Sequence, residues 1–401
     1  MKNLKARAQA VVSPVLGMYF NDFEVLRGKG TRLFDLQGTK FLDFSTGIAC
    51  AVTGHCHPKV VAAIKNQAEK LLHICIGVAY YEPYVKLAEE LAKIAPMKNA
   101  QSFFCQSGTE AVEAALKLAK YATKKPGLIA FQGGFHGRTL GSLSVTTSKM
   151  KYRDGYEPLL QEVYVAPLDL KVVAGLIESR RDQIGGLIIE PMLGEGGYIE
   201  IAPEFLQALR RLCDENNILL IFDEVQTGMG HTGKWFACEH AGVTPDIITV
   251  AKGIASGLPL GACVAKREVM AKWSPGAHGG TFGGNPVCCA AAVATIKVIK
   301  REKLLANAAK LGTYLKKELF KLQAQYSELI KDVRGRGLMI GVDFGASEPV
   351  KKIINFCLEK KLVLISTGGD GTVIRFIPAL NIKKTEIDEA LKIFSQALAN
   401  V

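Results

Sequence analysis

Ile218-Leu219-Leu220-Ile221-Phe222-Asp223-Glu224-Val225-Gln226 and, further along, Ile247-Ile248-Thr249-Val250-Ala251-Lys252-Gly253 decide how this chain reads. Each is a short apolar run, the length of a buried strand, that ends in a charged residue. Working outward, similar runs recur at residues 102–105, 128–131, 187–189 and 261–265. Amphipathic helical patterns lie between them, over 110–122 and 203–216 among others. Strand-sized runs alternating with helices predict an α/β fold with a mostly parallel sheet and helices on both faces.

The alternation spans about 46–290, which is expected to form the large domain. Before it, residues 1–45 carry strand-like pieces at 23–25 and 32–35, with Gly28, Gly30 and Gly38 marking turns. After it the pattern changes to long helices over 287–325. Strand candidates follow at 338–344, 362–365 and 373–377, with helices near 348–361 and 384–399. This predicts a smaller α/β domain over 291–401, joined by the N-terminal segment.

Composition narrows the function classes. The 401 residues are 48% hydrophobic and 22% charged, as in an ordinary globular protein. The net charge is +12, but Lys316, Lys317 and Lys321 sit on a helical pattern and no basic block is interleaved with aromatics. A nucleic-acid partner is therefore not expected. No run reaches the roughly 18 apolar residues of a membrane span, so no membrane partner is expected. Lys2, Lys5 and Arg7 precede a mildly apolar stretch ending at Phe20, which Gln9, Ser13 and Pro14 interrupt. That stretch reads as the start of a mature cytoplasmic chain. The 10 cysteines include no Cys-x-x-Cys spacing, so reduced thiols are expected and a metal is not.

The chemistry starts from Asp223 and Lys252. A carboxylate at the end of one buried strand and an amine at the end of another suit pyridoxal 5'-phosphate (PLP). The amine condenses with the aldehyde, and the carboxylate keeps the pyridine nitrogen protonated so that the ring acts as an electron sink. Taken singly, the lysine is a solvated strand end and the aspartate a turn former. Four loops strengthen the pair. Ser107-Gly108-Thr109-Glu110 opens a helix, where free N–H groups and two hydroxyls bind a phosphate; alone it is a plain N-cap. Gly133-Gly134-Phe135-His136-Gly137-Arg138-Thr139 offers a ring to stack on the pyridine and a guanidinium for a carboxylate, although His136 alone is more often a packed histidine. Glu190-Pro191-Met192-Leu193-Gly194-Glu195-Gly196-Gly197 sets two acids in a glycine-rich loop after a strand. His278-Gly279-Gly280-Thr281-Phe282-Gly283-Gly284-Asn285-Pro286 is a second such loop.

With these come Gly47-Ile48-Ala49, Gly54-His55-Cys56-His57-Pro58, Thr227-Gly228, Gly230, Thr232-Gly233 and Val373-Ile374-Arg375-Phe376. In this order and spacing, over about 15–398, the chain resembles the class III (ω-amino acid type) aminotransferases of the type I PLP-dependent fold. The resemblance implies that Lys252 binds PLP covalently and moves the proton. It pairs Asp223 with the pyridine nitrogen and Gln226 with the ring hydroxyl. Ser107, Gly108 and Thr109 hold the phosphate, with Thr281 reaching the phosphate of a neighbouring subunit in a homodimer or higher assembly. Phe135 stacks on the ring, and His136 and Glu190 stand at the cofactor. Arg375 grips the α-carboxylate of 2-oxoglutarate or glutamate, Glu195 masks Arg375 while the amino donor is bound, and Arg138 takes a remote carboxylate. Ile48 lines the substrate. Two positions depart from the family's pattern: Leu193, where many relatives have glutamine, and His231, where arginine is frequent.

The implied activity moves an amino group from an ω-amino acid to 2-oxoglutarate in a ping-pong cycle. Val112 in Gly108-Thr109-Glu110-Ala111-Val112-Glu113 points to 4-aminobutyrate as donor, because acetylornithine enzymes commonly carry Asn there. N-acetylornithine stands second. Ornithine and other ω-amines, amino-acid racemisation, and a non-catalytic PLP-binding or regulatory protein remain alternatives.

Overall fold

In the computed structural model, residues 4–401 are described, and Lys2 lies outside them. A seven-stranded sheet runs in the order Ala100–Cys105, Gly261–Lys266, Ile247–Val250, Leu219–Asp223, Ile184–Ile189, Gly127–Phe131, Val163–Ala166. Gly261–Lys266 is antiparallel to both its neighbours; the other pairs are parallel. The sheet is mostly parallel, as the alternation predicts.

Burial on both faces explains the unbroken apolar runs. Alternate residues still go to different layers. Leu128, Ala130, Ile188, Ile221 and Ile247 pack under the helix Gly108–Thr123, whose Ala114, Ala115 and Ala119 bring it close to the sheet. Ile129, Phe131, Ile189, Phe222 and Ile248 face the helices Leu170–Ser179 and Pro203–Asn216 through Val173, Ile177, Leu206 and Leu209.

Parallel strands collect their carboxyl ends along one edge, and there the functional loops begin. Register does the rest. Asp223 stands beside Thr249, and Phe222 lies between Ile248 and Ile189, so the loops after three strands open side by side.

The remaining strands form smaller sheets. Arg27–Lys29, Arg32–Phe34 and Lys40–Asp43 make one with Leu362–Val363, which runs parallel to Lys40–Asp43. Asp332–Arg336, Met339–Asp343, Val373–Phe376 and Ile365–Thr367 make another. The single strand expected over 362–365 is thus two, split at Leu364 and shared between two sheets. Residues 23–25 form no strand; pairing begins at Arg27. Val163–Ala166 and Asp332–Arg336 are strands that the apolar pattern did not reveal. Both carry polar or half-exposed positions, the first at a sheet edge. All 10 cysteines are free. Among the described residues no helix is long and apolar enough to cross a membrane.

His231, one of the two departures, has no solvent exposure. Burial pushes its imidazole from 6.5 down to about 4. The folded state therefore keeps it neutral where the unfolded chain would protonate it. Its contribution is complete above pH 6.5 and is lost as the pH falls towards 4, amounting to roughly 3 kcal/mol at the acid end. Replacing His231 by methionine is expected to flatten the fall in melting temperature between pH 6.5 and 4. Parallel curves for the two proteins would contradict this.

Candidate active site

A cavity of ≈ 500 Å³ opens at the carboxyl edge of the large sheet, within the usual range for small-molecule sites. Lys252 enters its wall two residues after the strand Ile247–Val250, where the chain tightens into the 3₁₀ turn Lys252–Ala255. Its φ is +44°. A lysine held in that left-handed region carries strain of order 1–3 kcal/mol, as functional positions often do.

Asp223, at the end of the neighbouring strand, lines the same cavity. Its carboxylate accepts from Thr249 Oγ1 at 2.9 Å and from the Val225 amide at 3.0 Å, and meets His136 Nδ1 at 2.7 Å. Three partners fix the direction of the acid. His136 is itself buried. Burial alone would lower its pKa, but the bond to Asp223 and the nearby carboxylates outweigh it and raise it.

The helix Gly108–Thr123 presents its N-terminus to the same cavity. Ser107 Oγ accepts from the Glu110 amide at 3.3 Å, and Glu110 returns a carboxylate to the Gln106 amide at 2.9 Å, in the manner of a capping box. The earlier amides of Gly108 and Thr109 have no acceptor within the helix. Thr109 Oγ1 already accepts from the Arg138 and Thr139 amides, each at 3.2 Å. Close approach explains the glycines. A Cβ on Gly137 would lie 2.3 Å from Thr109 Oγ1, and one on Gly108 would lie 2.8 Å from Val225.

Glu190 is buried between two loops, accepting from the Phe135 amide at 2.8 Å and the Gly194 amide at 2.9 Å. Burial pushes its carboxyl up to about 7. Gln226 also lines the cavity, and Tyr198 donates to its Oε1 at 3.1 Å.

Beyond Gln226 lies an ion pair. Arg375, on the strand Val373–Phe376, has no exposure and donates to Glu195 Oε1 at 2.6 Å and to the Tyr19 hydroxyl at 2.7 Å. Among the described residues its buried Nε has no acceptor. Burial pulls the Arg375 pKa down, but the Glu195 charge more than reverses this. Burial likewise pushes Glu195 up, and the Arg375 charge holds it below the ordinary value. Arg138 is exposed at the cavity wall with its guanidinium 4.0 Å from the centre of the Tyr152 ring. Among the described residues no carboxylate pairs with it.

Thus Ser107, Gly108, Thr109, Phe135, His136 and Arg138 line the cavity, as do Glu190, Asp223, Gln226 and Lys252. Glu195 and Arg375 adjoin it through Tyr198 and Gln226. Ile48 lies two residues from the wall residue Cys50, in a left-handed turn with φ +62°. Thr281 is on an exposed loop and does not line the cavity of the single chain. Sequence reading missed Tyr19, Tyr152, Tyr198, Val225 and Thr249. Thr249, a lone hydroxyl in an apolar run, was the one legible signal; Tyr19 reaches Arg375 only through the fold.

The set fits PLP. It supplies an amine, a fixed carboxylate, and helix-start amides with no acceptor within the helix for a phosphate. An aromatic ring and a valine, Phe135 and Val225, line the wall between.

Comparison with known proteins agrees. The aminotransferase class-III family profile matches residues 18–398. The acetylornithine aminotransferase of Methanopyrus kandleri is 44% identical over 373 residues, covering 92% of this chain and 93% of that protein. The 5-aminovalerate aminotransferase of Pseudomonas aeruginosa is 39% identical over 417 residues, covering 98% and 97%. An ornithine aminotransferase structure from Toxoplasma gondii, with partial occupancy of PLP at its active site, superposes with a TM-score of 0.92 at 29% identity, covering 99% and 94% of the two chains.

If Lys252 is the attachment point, Lys252→Ala keeps the native circular dichroism, loses nearly all turnover, and shows no cofactor fixed to protein by borohydride reduction. Reducible cofactor and normal turnover in that variant would contradict the assignment.

Proposed function

Because the chain belongs to the class-III aminotransferases, we propose that it transfers the terminal amino group of an ω-amino acid, N-acetylornithine foremost, to 2-oxoglutarate, giving glutamate. The Glu195–Arg375 pair carries this reading. A site that must take one substrate with an α-carboxylate at the reacting carbon and another without one needs a cation that can be masked. A carboxylate already bonded to Arg375 at 2.6 Å is such a mask.

Bound PLP supplies the carbonyl that takes up the amino group and the electron-poor ring that stabilises a carbanion. The chain does the rest. Lys252 anchors the cofactor and carries the proton between the two carbons. Asp223, steadied by His136 and Thr249, sets the charge of the ring nitrogen. Gln226 meets the ring hydroxyl, Gly108 and Thr109 hold the phosphate, and Phe135 covers one face of the ring. Arg138 takes the remote carboxylate, and Ile48 shapes the entry. The exposed Thr281 suits a homodimer or higher assembly, in which it would complete the phosphate site of a second subunit.

The donor preference rests on the relatives. Acetylornithine enzymes match at 42–44% identity, which favours N-acetylornithine over the 4-aminobutyrate that Val112 had put first. Val112 is fully buried under the sheet and does not line the cavity, so it cannot read a donor directly. The 39% identical 5-aminovalerate enzyme keeps a simple ω-amino acid as the second reading.

A donor panel at fixed 2-oxoglutarate tests this. N-acetylornithine is expected to exceed 4-aminobutyrate and 5-aminovalerate in kcat/KM by about tenfold or more, the worth of one well-placed hydrogen bond. The reverse order would move the assignment to a simple ω-amino acid. No transfer from any of the three would overturn it.

A further inference from the structure

The loop that carries Glu195 is the tip of a small hairpin, in which Met192 pairs with Glu200 and Leu193 with Ile199. Other segments fasten that tip along its length. Glu190 accepts from the Gly194 amide at 2.9 Å. Arg334 Nε donates to the Gly197 carbonyl at 2.7 Å, and its guanidinium is itself held by Asp332 at 2.8 Å and Asp343 at 3.0 Å. Between these two anchors, Thr367 Oγ1 donates to the Gly194 carbonyl at 3.0 Å and the Gly368 amide donates to the Glu195 carbonyl at 3.1 Å. The peptides on both sides of the Glu195 Cα are therefore gripped by two consecutive residues.

Those residues belong to the sheet that carries the guanidinium. Thr367 is buried and ends the strand Ile365–Thr367, which pairs antiparallel with Val373–Phe376 and sets Ile365 beside Arg375. One small sheet thus fixes both the cation and the backbone of the acid that meets it. A Cα held on both sides cannot travel, but the side chain beyond it can turn. The Glu195 side chain keeps 13% exposure, against none for Arg375, which leaves it open space to turn into.

We propose that Thr367 positions the mask. With the Gly368 amide it clamps the peptides around Glu195 to the sheet that bears Arg375, and Glu195 covers and uncovers the guanidinium by turning its side chain on that fixed backbone. This rests on the masking role of Glu195 given above. Thr367 does not line the cavity. It is a positioning residue that keeps the carboxylate where it meets Arg375 at 2.6 Å. It matters for a donor that brings no carboxylate to Arg375, and little for glutamate, which displaces the mask.

Stopped-flow half-reactions of the PLP-loaded enzyme read this split. Thr367→Val keeps the shape and loses the donor hydrogen. It is expected to slow amino-group release from the best ω-amino donor about tenfold and from glutamate less than about twofold, the loss of one buried hydrogen bond. Thr367→Ser, which keeps the hydroxyl, is expected to restore the first reaction. In a Glu195→Gln background, Thr367→Val should slow neither donor by more than about twofold, because residues acting through one group do not add. Equal slowing of the two donors would mean a general loosening of the site and would overturn the proposal, as would no effect or an undiminished effect in the Glu195→Gln background. Hydrogen exchange tests the fixed backbone: the Gly368 amide should be equally protected with and without saturating glutarate, an unreactive dicarboxylate. Faster exchange with glutarate bound would mean that the loop itself leaves, contrary to the proposal. If Glu195→Gln alone slowed both donors equally, the masking role would fail first and this inference with it; a split in Glu195→Gln with none in Thr367→Val would sink this inference alone.

Discussion

A guanidinium with no solvent exposure is tolerable only while its charge is answered, and Arg375 is answered by Glu195 and Tyr19. Removing one partner from such a pair costs several kcal/mol, so on the proposed reading one carboxylate replaces another. That constraint shapes the site. On the proposed reading it calls for an acid on a loop able to leave; among the described residues the buried Nε of Arg375 has no acceptor of its own. The strand Val373–Phe376 supplies Arg375, and the glycine-rich loop after Glu190 supplies Glu195. Glu190 holds the base of that loop through the Gly194 amide.

The cofactor end obeys a different rule. The contacts there are local and redundant. Asp223 has three partners from three segments: His136, Thr249 and its own turn at Val225. The parallel sheet makes this possible at little expense, because strands aligned in register bring their end loops together. The strain at Lys252 and the close approach of Gly137 to Thr109 are local costs that the surrounding core can hold.

What the sequence displayed follows from this contrast. The large sheet was legible because strands buried on both faces must be apolar throughout. Lys252, Asp223 and the Ser107–Thr109 turn were legible because each stands at the end of such a strand or begins within two residues of it. The split at Leu364 was invisible, since an apolar run does not say that its halves pair with different sheets. Val163–Ala166 was hidden by its half-exposed edge position. Tyr19 could not be read at all: nothing in its neighbours in sequence marks it, and its bond to Arg375 exists only after folding. Val112 is the opposite case: a family correlate whose side chain is buried away from the cavity.

The exchange of carboxylates at Arg375 is the central claim, and stopped-flow half-reactions of the Glu195→Gln enzyme test it most directly. An amide cannot neutralise Arg375 when the donor brings no carboxylate to it. Amino-group release from the ω-amino donor is therefore expected to slow by roughly tenfold to a hundredfold, the cost of a poorly answered buried charge of about 1–3 kcal/mol. The reaction of glutamate, whose α-carboxylate answers Arg375 itself, should change little. Equal slowing with the two donors would contradict the exchange.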